Sequence, residues 1–237
     1  GANIELIAPF AARLTNRDVV TFDMPGIGGS PEPTLPYRPW MMARIADKLM
    51  DDLGYDKIDV MGVSWGGGLA QQFAFQYGKR VGKLILAATS AGMVMVPGKL
   101  SALSKMADPR RYIDPSFMEK NFRTLYGGST DGSDGHMSRI KAPSTKGYLY
   151  QLMAMAGWTS VAFLPFVTAK TLVMMGDSDN IVPIANGRIL TTLMPYAELA
   201  VIKGGGHLFL VSQADETIAM IDAFLADDTA QTARKAA

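Results

Sequence analysis

Apolar residues fall along this 237-residue chain in two alternating rhythms. Short, mostly apolar runs occur at 19–22, 58–63, 83–88, 171–175 and 198–202. Between them lie stretches in which apolar positions recur every fourth residue: Met41, Ile45, Leu49 and Leu53 in 40–53, then Leu69, Phe73 and Tyr77 in 67–77. The first rhythm predicts buried strands and the second predicts helices. Further helices are expected over 184–193 and 216–225. Short apolar strands joined through helices imply a mostly parallel sheet flanked by helices on both faces, an α/β fold.

Residues 96–167 break the alternation. They hold Met106, Tyr112, Met118, Tyr126, Met153 and Trp158, and a polar, glycine-rich stretch at 127–135. The expected organisation is a first part of the core (1–95), a helical cap insertion over the sheet with one flexible loop (96–167), and a second part of the core (168–237). Residues 227–237 carry few large apolar side chains, and the end of the last helix is expected to fray there.

Composition narrows the function. Hydrophobic residues at 48% against 19% charged argue against disorder. Lys and Arg (23) balance Asp and Glu (22), so no basic field draws nucleic acid or an anionic membrane. No run of eighteen apolar residues offers a helix that crosses a membrane. Cysteine is absent, which removes disulfides, thiolate metal sites and cysteine nucleophiles. With only His136 and His207 in the chain, a histidine-rich metal site is excluded, and any histidine base is one of these two.

The strongest chemical signal is Gly62-Val63-Ser64-Trp65-Gly66, set between an expected strand and an expected helix. Gly-x-Ser-x-Gly in that context is a nucleophile elbow: a strained turn that lifts the serine hydroxyl off the sheet. Side chains at the flanking glycines are expected to collide with neighbouring backbone. The helix start behind Ser64 favours negative charge, and the Trp65 N–H is the natural first donor of an oxyanion hole.

A serine needs a base, and the base needs an acid. His207 leaves the turn Lys203-Gly204-Gly205-Gly206 after an expected strand. His136 lies in the polar loop and reads as a solvated residue. Two aspartates follow the strand at 171–175. Asp179 lies farther round the turn and can reach the next strand's exit; Asp177 reads as a brace for the turn itself. Asp23 follows the run at 19–22 and reads as a brace for the turn at 25–30. The favoured set, Ser64, Asp179 and His207, stands in the chain order of α/β-hydrolases. It calls for no metal and no organic cofactor.

The elbow with Leu69-Ala70-Gln71-Gln72-Phe73-Ala74, together with Leu86-Ala87-Ala88-Thr89, Val94-Met95-Val96-Pro97-Gly98-Lys99, Pro109-Arg110-Arg111-Tyr112, Gly157-Trp158-Thr159-Ser160 and Gly206-His207-Leu208-Phe209-Leu210, resembles intracellular medium-chain-length polyhydroxyalkanoate depolymerases. The likeness runs over nearly the whole chain, insertion included. It implies an α/β-hydrolase fold and hydrolysis of ester bonds in a polyester of 3-hydroxy fatty acids. It also implies a cytoplasmic enzyme whose partners are that polyester and the surface of its granules. It carries nucleophile, acid and base onto Ser64, Asp179 and His207.

The chain departs from the family in three places. The acid turn reads Gly176-Asp177-Ser178-Asp179-Asn180 where the family has Gly-Asp-Asp-Asp-Pro, and the base turn is one residue longer. Both departures are expected to loosen the loops. The chain also opens Gly1-Ala2-Asn3, without methionine or leader, inside a turn that the family places after an earlier strand. The resemblance therefore implies a fragment lacking its first strands, including one between the runs at 19–22 and 58–63. The second oxyanion donor would lie at or before Gly1. Losing such a donor costs ~10²–10³ in rate, so the isolated chain is expected to be poorly active or poorly folded.

Medium-length alkyl groups need an apolar pocket, for which Met153, Met155, Trp158, Phe163 and Phe166 are candidates, set against ordinary packing of the insertion on the sheet. An apolar patch on the insertion is a candidate for granule contact. Competing readings are a small-substrate carboxylesterase, a carbon–carbon hydrolase of ring-cleavage products, and a binding module that kept the fold.

Overall fold

The computed structural model describes residues 3–108 and 110–227. Four strands, β1 (Ile58–Val63), β2 (Val81–Ala87), β3 (Lys170–Gly176) and β4 (Ala197–Ile202), form one parallel sheet in the order β1-β2-β3-β4. Val63 pairs with Ala87, Ala87 with Met174, and Met174 with Ala200, so all four strands end at the same edge.

Side chains alternate across the pleat, and the central strands β2 and β3 are buried on both faces, the edge strands β1 and β4 only in part. Leu84, Leu86, Val173 and Met175 enter one core; Ile85, Ala87, Leu172, Met174 and Ile202 enter the other. This two-sided burial is why the strands read as near-continuous apolar runs. Leu84 and Leu86 are fully enclosed, and truncating either to alanine removes about 2–5 kcal/mol of stability.

The second core lies under α1 (Ile4–Ala11), which contributes Phe10. The first lies under α2 (Pro39–Asp52) and α3 (Trp65–Gln76), through Ala43, Ala70 and Phe73. Between β2 and β3 the chain forms α4 (Leu100–Ala107), α5 (Arg110–Ile113), α6 (Pro115–Tyr126), α7 (Ser133–Met137) and α8 (Thr145–Met155). Asp114 caps α6 and Ser144 caps α8 through side-chain oxygens that accept backbone N–H groups. After β3 come α9 (Ala185–Leu193), then β4, α10 (Phe209–Ser212) and α11 (Ala214–Ala226). Leu190 of α9 joins the first core, and Ile218, Ile221 and Phe224 of α11 join the second.

The expected strand at 19–22 is not formed. Val19, Val20 and Phe22 stay 38–40% exposed, and the segment joins no ladder. A strand exists only through a neighbour's hydrogen bonds, and an apolar run without one remains irregular chain. The expected fraying of the tail concerns residues 228–237, which lie outside the described residues. Among the described residues, no helix is long and apolar enough to cross a membrane.

Candidate active site

The elbow forms where β1 passes directly into α3. Ser64 takes φ 52° and ψ −119°, a region that L-residues avoid. Three bonds hold it there: the Ser64 N–H donates to Ala87 O at 2.8 Å, and Ser64 O accepts from Gly67 N at 2.9 Å and from Thr89 Oγ1 at 2.7 Å. A side chain at Gly62 would overlap the backbone of Gly66 and Gly67, whereas Gly66 faces open space. Only part of the expected steric demand on the flanking glycines is therefore real.

The three sequence-predicted side chains meet at the C-terminal edge of the sheet. His207 Nε2 lies 2.9 Å from Ser64 Oγ, and His207 Nδ1 lies 2.8 Å from Asp179 Oδ2. The other oxygen of Asp179 accepts from the N–H of Ile181 at 2.7 Å and of Val182 at 2.9 Å, which fixes the carboxylate plane. A carboxylate only accepts, so Nδ1 carries the proton and Nε2 is left to accept from the serine hydroxyl. Asp179 and His207 are both buried.

Asp177 is not part of this chain of contacts. Its Oδ1 accepts from Gly204 N at 2.8 Å and from Ser178 Oγ at 3.0 Å, tying the acid turn to the base turn. Ser178 N–H donates to Gly205 O at 2.9 Å, a second tie. These bonds answer the loosening expected from the altered turns. Asp23 braces as expected: Gly29 N–H donates to its Oδ2 and Ile4 N–H to its Oδ1, each at 2.8 Å.

Trp65, at the start of α3, anchors the elbow to the helices above. Its indole Nε1 donates to Gln151 O of α8 at 3.2 Å, and its ring packs beside Met24, Ile27, Tyr37, Met42 and Ala154. The second oxyanion donor, expected at or before Gly1, lies outside the described residues.

His136 is not a solvated loop residue. It sits on α7, half-buried, edge-on to the rings of Phe122 (6.3 Å) and Tyr126 (5.9 Å). Its Nδ1 is covered and has no partner. Burial pushes its pKa down to about 4, helped by Arg139 and His207.

The pocket candidates divide. Met153 and Phe166 point outward, at 41% and 70% exposed. Trp158 Nε1 donates to Gln72 Oε1 at 2.8 Å, Met155 lies against Gly68, and Phe163 stacks on Phe75 at 4.6 Å. Trp158, Met155 and Phe163 thus perform ordinary packing of the helical segment on the core.

Sequence reasoning missed Tyr126. Its carbonyl accepts the His207 N–H at 2.7 Å, and its ring runs parallel to the imidazole, centroids 6.4 Å apart. The signal available was Gly127-Gly128 directly after it, which reads as loop but marks close backbone approach.

A cleft of about 300 Å³ opens at the opposite end of the strands, lined by Lys57, Asp59, Lys83, Lys170 and Asp227. Lys83 Nζ there donates to Phe224 O, Leu225 O and Asp227 O at 2.8–3.1 Å, so it closes the end of α11. Among the described residues, no three His, Asp or Glu side chains converge as a metal site.

A family model described as alpha/beta hydrolase fold matches residues 2–127. The poly(3-hydroxyalkanoate) depolymerase of Ectopseudomonas oleovorans is 44% identical over 230 residues, which cover 95% of this chain and 81% of that protein. The 2-hydroxy-6-oxo-6-phenylhexa-2,4-dienoate hydrolase of Burkholderia cepacia is 31% identical over 229 residues, covering 88% and 76%. Among solved structures, an esterase from Exiguobacterium antarcticum superposes with a TM-score of 0.81 at 20% identity, covering 95% of this chain and 88% of that one. At that identity the likeness speaks for the fold alone.

Proposed function

From a chain that belongs to the α/β-hydrolase fold family, we infer a carboxylic ester hydrolase whose substrate is a polyester of medium-chain 3-hydroxy acids. The observation that carries the reading is the unbroken contact line from Ser64 Oγ through the His207 ring to Asp179 Oδ2, at 2.9 and 2.8 Å. The 44% identical poly(3-hydroxyalkanoate) depolymerase, against 31% for the carbon–carbon hydrolase, supports the polyester, and the resemblance in sequence supports its medium chain length.

Ser64 Oγ attacks the ester carbonyl carbon while its proton passes to His207 Nε2. Asp179 holds the imidazole in the tautomer that can take the proton, and it stabilises the imidazolium that results. The Trp65 N–H at the start of α3 donates to the oxyanion. The tetrahedral intermediate collapses, His207 returns the proton to the leaving alkoxide, and the hydroxyl end of the polymer departs. Water then attacks the acyl-enzyme with His207 as base, releasing the acid and restoring Ser64. No step of this sequence calls on a metal or organic cofactor.

Residues 96–167 act as the cap. The inner face of α8 (Gly147, Gln151, Ala154) is buried on the core, while Leu149, Leu152 and Met153 project outward, 41–52% exposed. That apolar face, on the helix bonded to the elbow's tryptophan, is suited to rest on a polymer granule, and the enzyme works in the cytoplasm at that surface.

The protein is expected to hydrolyse 4-nitrophenyl octanoate and to clear a latex of poly(3-hydroxyoctanoate), ~10²–10³-fold more slowly where the Trp65 N–H alone serves the oxyanion, and to be labelled at Ser64 by a fluorophosphonate. Ser64→Ala is expected to lose labelling and at least ~10⁴-fold in kcat. Activity on short soluble esters without any on latex would favour the small-substrate esterase. No labelling of folded protein would favour the binding module. Leu149→Asp with Leu152→Asp is expected to reduce co-sedimentation with granules and to spare hydrolysis of the soluble ester.

A further inference from the structure

The acid and the base stand on different loops, after β3 and β4, and one turn of chain from the helical segment touches both. At the end of α6, Tyr126 O accepts the His207 N–H at 2.7 Å. The next residue, Gly127, forms an isolated antiparallel bridge with Asp179. Asn180, beside the acid, donates from Nδ2 to Thr124 O at 3.0 Å and to Arg123 O at 3.2 Å in the last turn of α6, where Arg123 O also accepts the Gly127 N–H at 2.9 Å.

The approach is backbone against backbone. Gly127 and Gly128 take φ +71° and +60°, where L side chains are strained. A Cβ on Gly127 would overlap Ser178 O, one on Gly128 would overlap Gly206 N, and one on Gly206 would overlap Gly127 O. The Tyr126 ring is buried and lies near-parallel to the imidazole, centroids 6.4 Å apart.

We propose that residues 126–128 are a positioning strap that sets the reach of His207 between Ser64 and Asp179. The strap rests on the serine-hydrolase reading of that site. Its backbone holds the base at its own N–H and the acid through the bridge at Gly127, so a shift of the strap moves both relative to Ser64. Tyr126 acts through His207, by its carbonyl on the His207 N–H. The segment that covers the site is thereby a structural part of the acid–base pair.

The test uses the full chain and the variants Gly128→Ala, Tyr126→Ala and Tyr126→Phe. The readouts are kcat and KM on 4-nitrophenyl octanoate, the rate of Ser64 labelling by a fluorophosphonate, and thermal unfolding. A displacement near 1 Å at a catalytic group lowers rates about a hundredfold. Gly128→Ala is expected to lose about that factor in kcat and in labelling rate, with KM within about threefold of wild type. Tyr126→Ala, which keeps the carbonyl but not the ring that packs it, is expected to lose about tenfold in kcat, and Tyr126→Phe, which keeps the ring, restores it.

A folded Gly128→Ala protein with wild-type kcat and labelling overturns the strap. Should Gly128→Ala fail to fold, Tyr126→Ala with wild-type kcat overturns it equally. A variant that lowers only the melting temperature counts the same way, since packing alone predicts that result. If wild-type protein is itself not labelled, the serine-hydrolase reading falls and the strap with it. Labelled wild type beside an equally labelled Gly128→Ala removes the strap alone.

Discussion

Two of the joints between the helical segment and the core differ in what they touch. At Tyr126–Gly128 the contact is backbone on backbone, made with the loops that carry Asp179 and His207. At Trp158–Ser160 a backbone seam with residues 91–93, in which Ser160 N–H donates to Ala91 O at 3.1 Å and Met93 N–H to Trp158 O at 2.9 Å, is reinforced by side-chain pairs with α3. There Trp158 Nε1 donates to Gln72 Oε1 at 2.8 Å, Ser160 Oγ donates to Gln71 Oε1 at 2.6 Å, and Gln71 Nε2 donates to Ser90 O at 3.0 Å. Gln71 and Ser160 are fully enclosed. The first joint bears on where a proton goes; the second bears on whether the segment stays attached. Buried polar pairs of the second kind are satisfied inside the fold, and losing one partner leaves the other without water.

The comparison can be broken most forcefully at the acid. Asp179→Asn keeps the shape but offers an amide to His207 Nδ1, favouring the wrong tautomer. A loss of about 10⁴ in kcat is expected, with little change in KM. Asp177→Asn, one turn away, is expected to stay within about fivefold of wild type. Equal losses in the two variants would sink the assignment of the acid.

The next effect concerns pH at the first joint. His136 packs against Tyr126, and its pKa in the folded protein is pushed down from 6.5 to about 4, chiefly by burial. As pH falls below about 6.5 the unfolded chain takes up this proton first, so stability declines from there to about pH 4 and levels off below. The loss reaches about 3 kcal/mol at most. Urea unfolding at pH 7 and pH 5 measures it. His136→Phe is expected to flatten that part of the profile, and an unchanged slope would show that other groups carry it.

The smallest effect belongs to the second joint. Gln71→Ala leaves Ser160 Oγ and Ser90 O unpartnered, and about 1–3 kcal/mol of stability is expected to go. Because Gln71 and Ser160 bond none of Ser64, Asp179 and His207, kcat/KM is expected to hold within about twofold. A hundredfold fall in kcat with unchanged thermal stability would erase the distinction between the joints.

Much of this was readable from residue order. The four strands lie within two residues of where their apolar runs predict them, because strands held between two helical layers are apolar at most positions, while Asp59 and Glu198 are exposed on the edge strands β1 and β4. The convergence of Ser64, Asp179 and His207 was readable because each follows a strand, and parallel strands deliver their ends to one edge. The run at 19–22 misled because apolar content cannot say whether a neighbouring strand is present to pair with it. Trp158 and Phe163 stayed open between pocket and packing, because an aromatic that lines a pocket and one that packs on a helix look alike in sequence, and only their contacts show the packing. His136 misled because polar neighbours in sequence were not its neighbours in space.

The residue order by itself determined the parallel sheet, the elbow at Ser64 and the identity of the three side chains that meet there. Those follow from local periodicity, from glycine spacing, and from the scarcity of histidine. Tertiary structure alone decided that Tyr126 O holds His207, that Gly127 pairs with Asp179, and that His136 is shielded from water. The physical reason is that the strap works through a backbone carbonyl and the absence of a Cβ. Every residue has the first and many glycines offer the second, so only the folded path of the chain gives either one a partner.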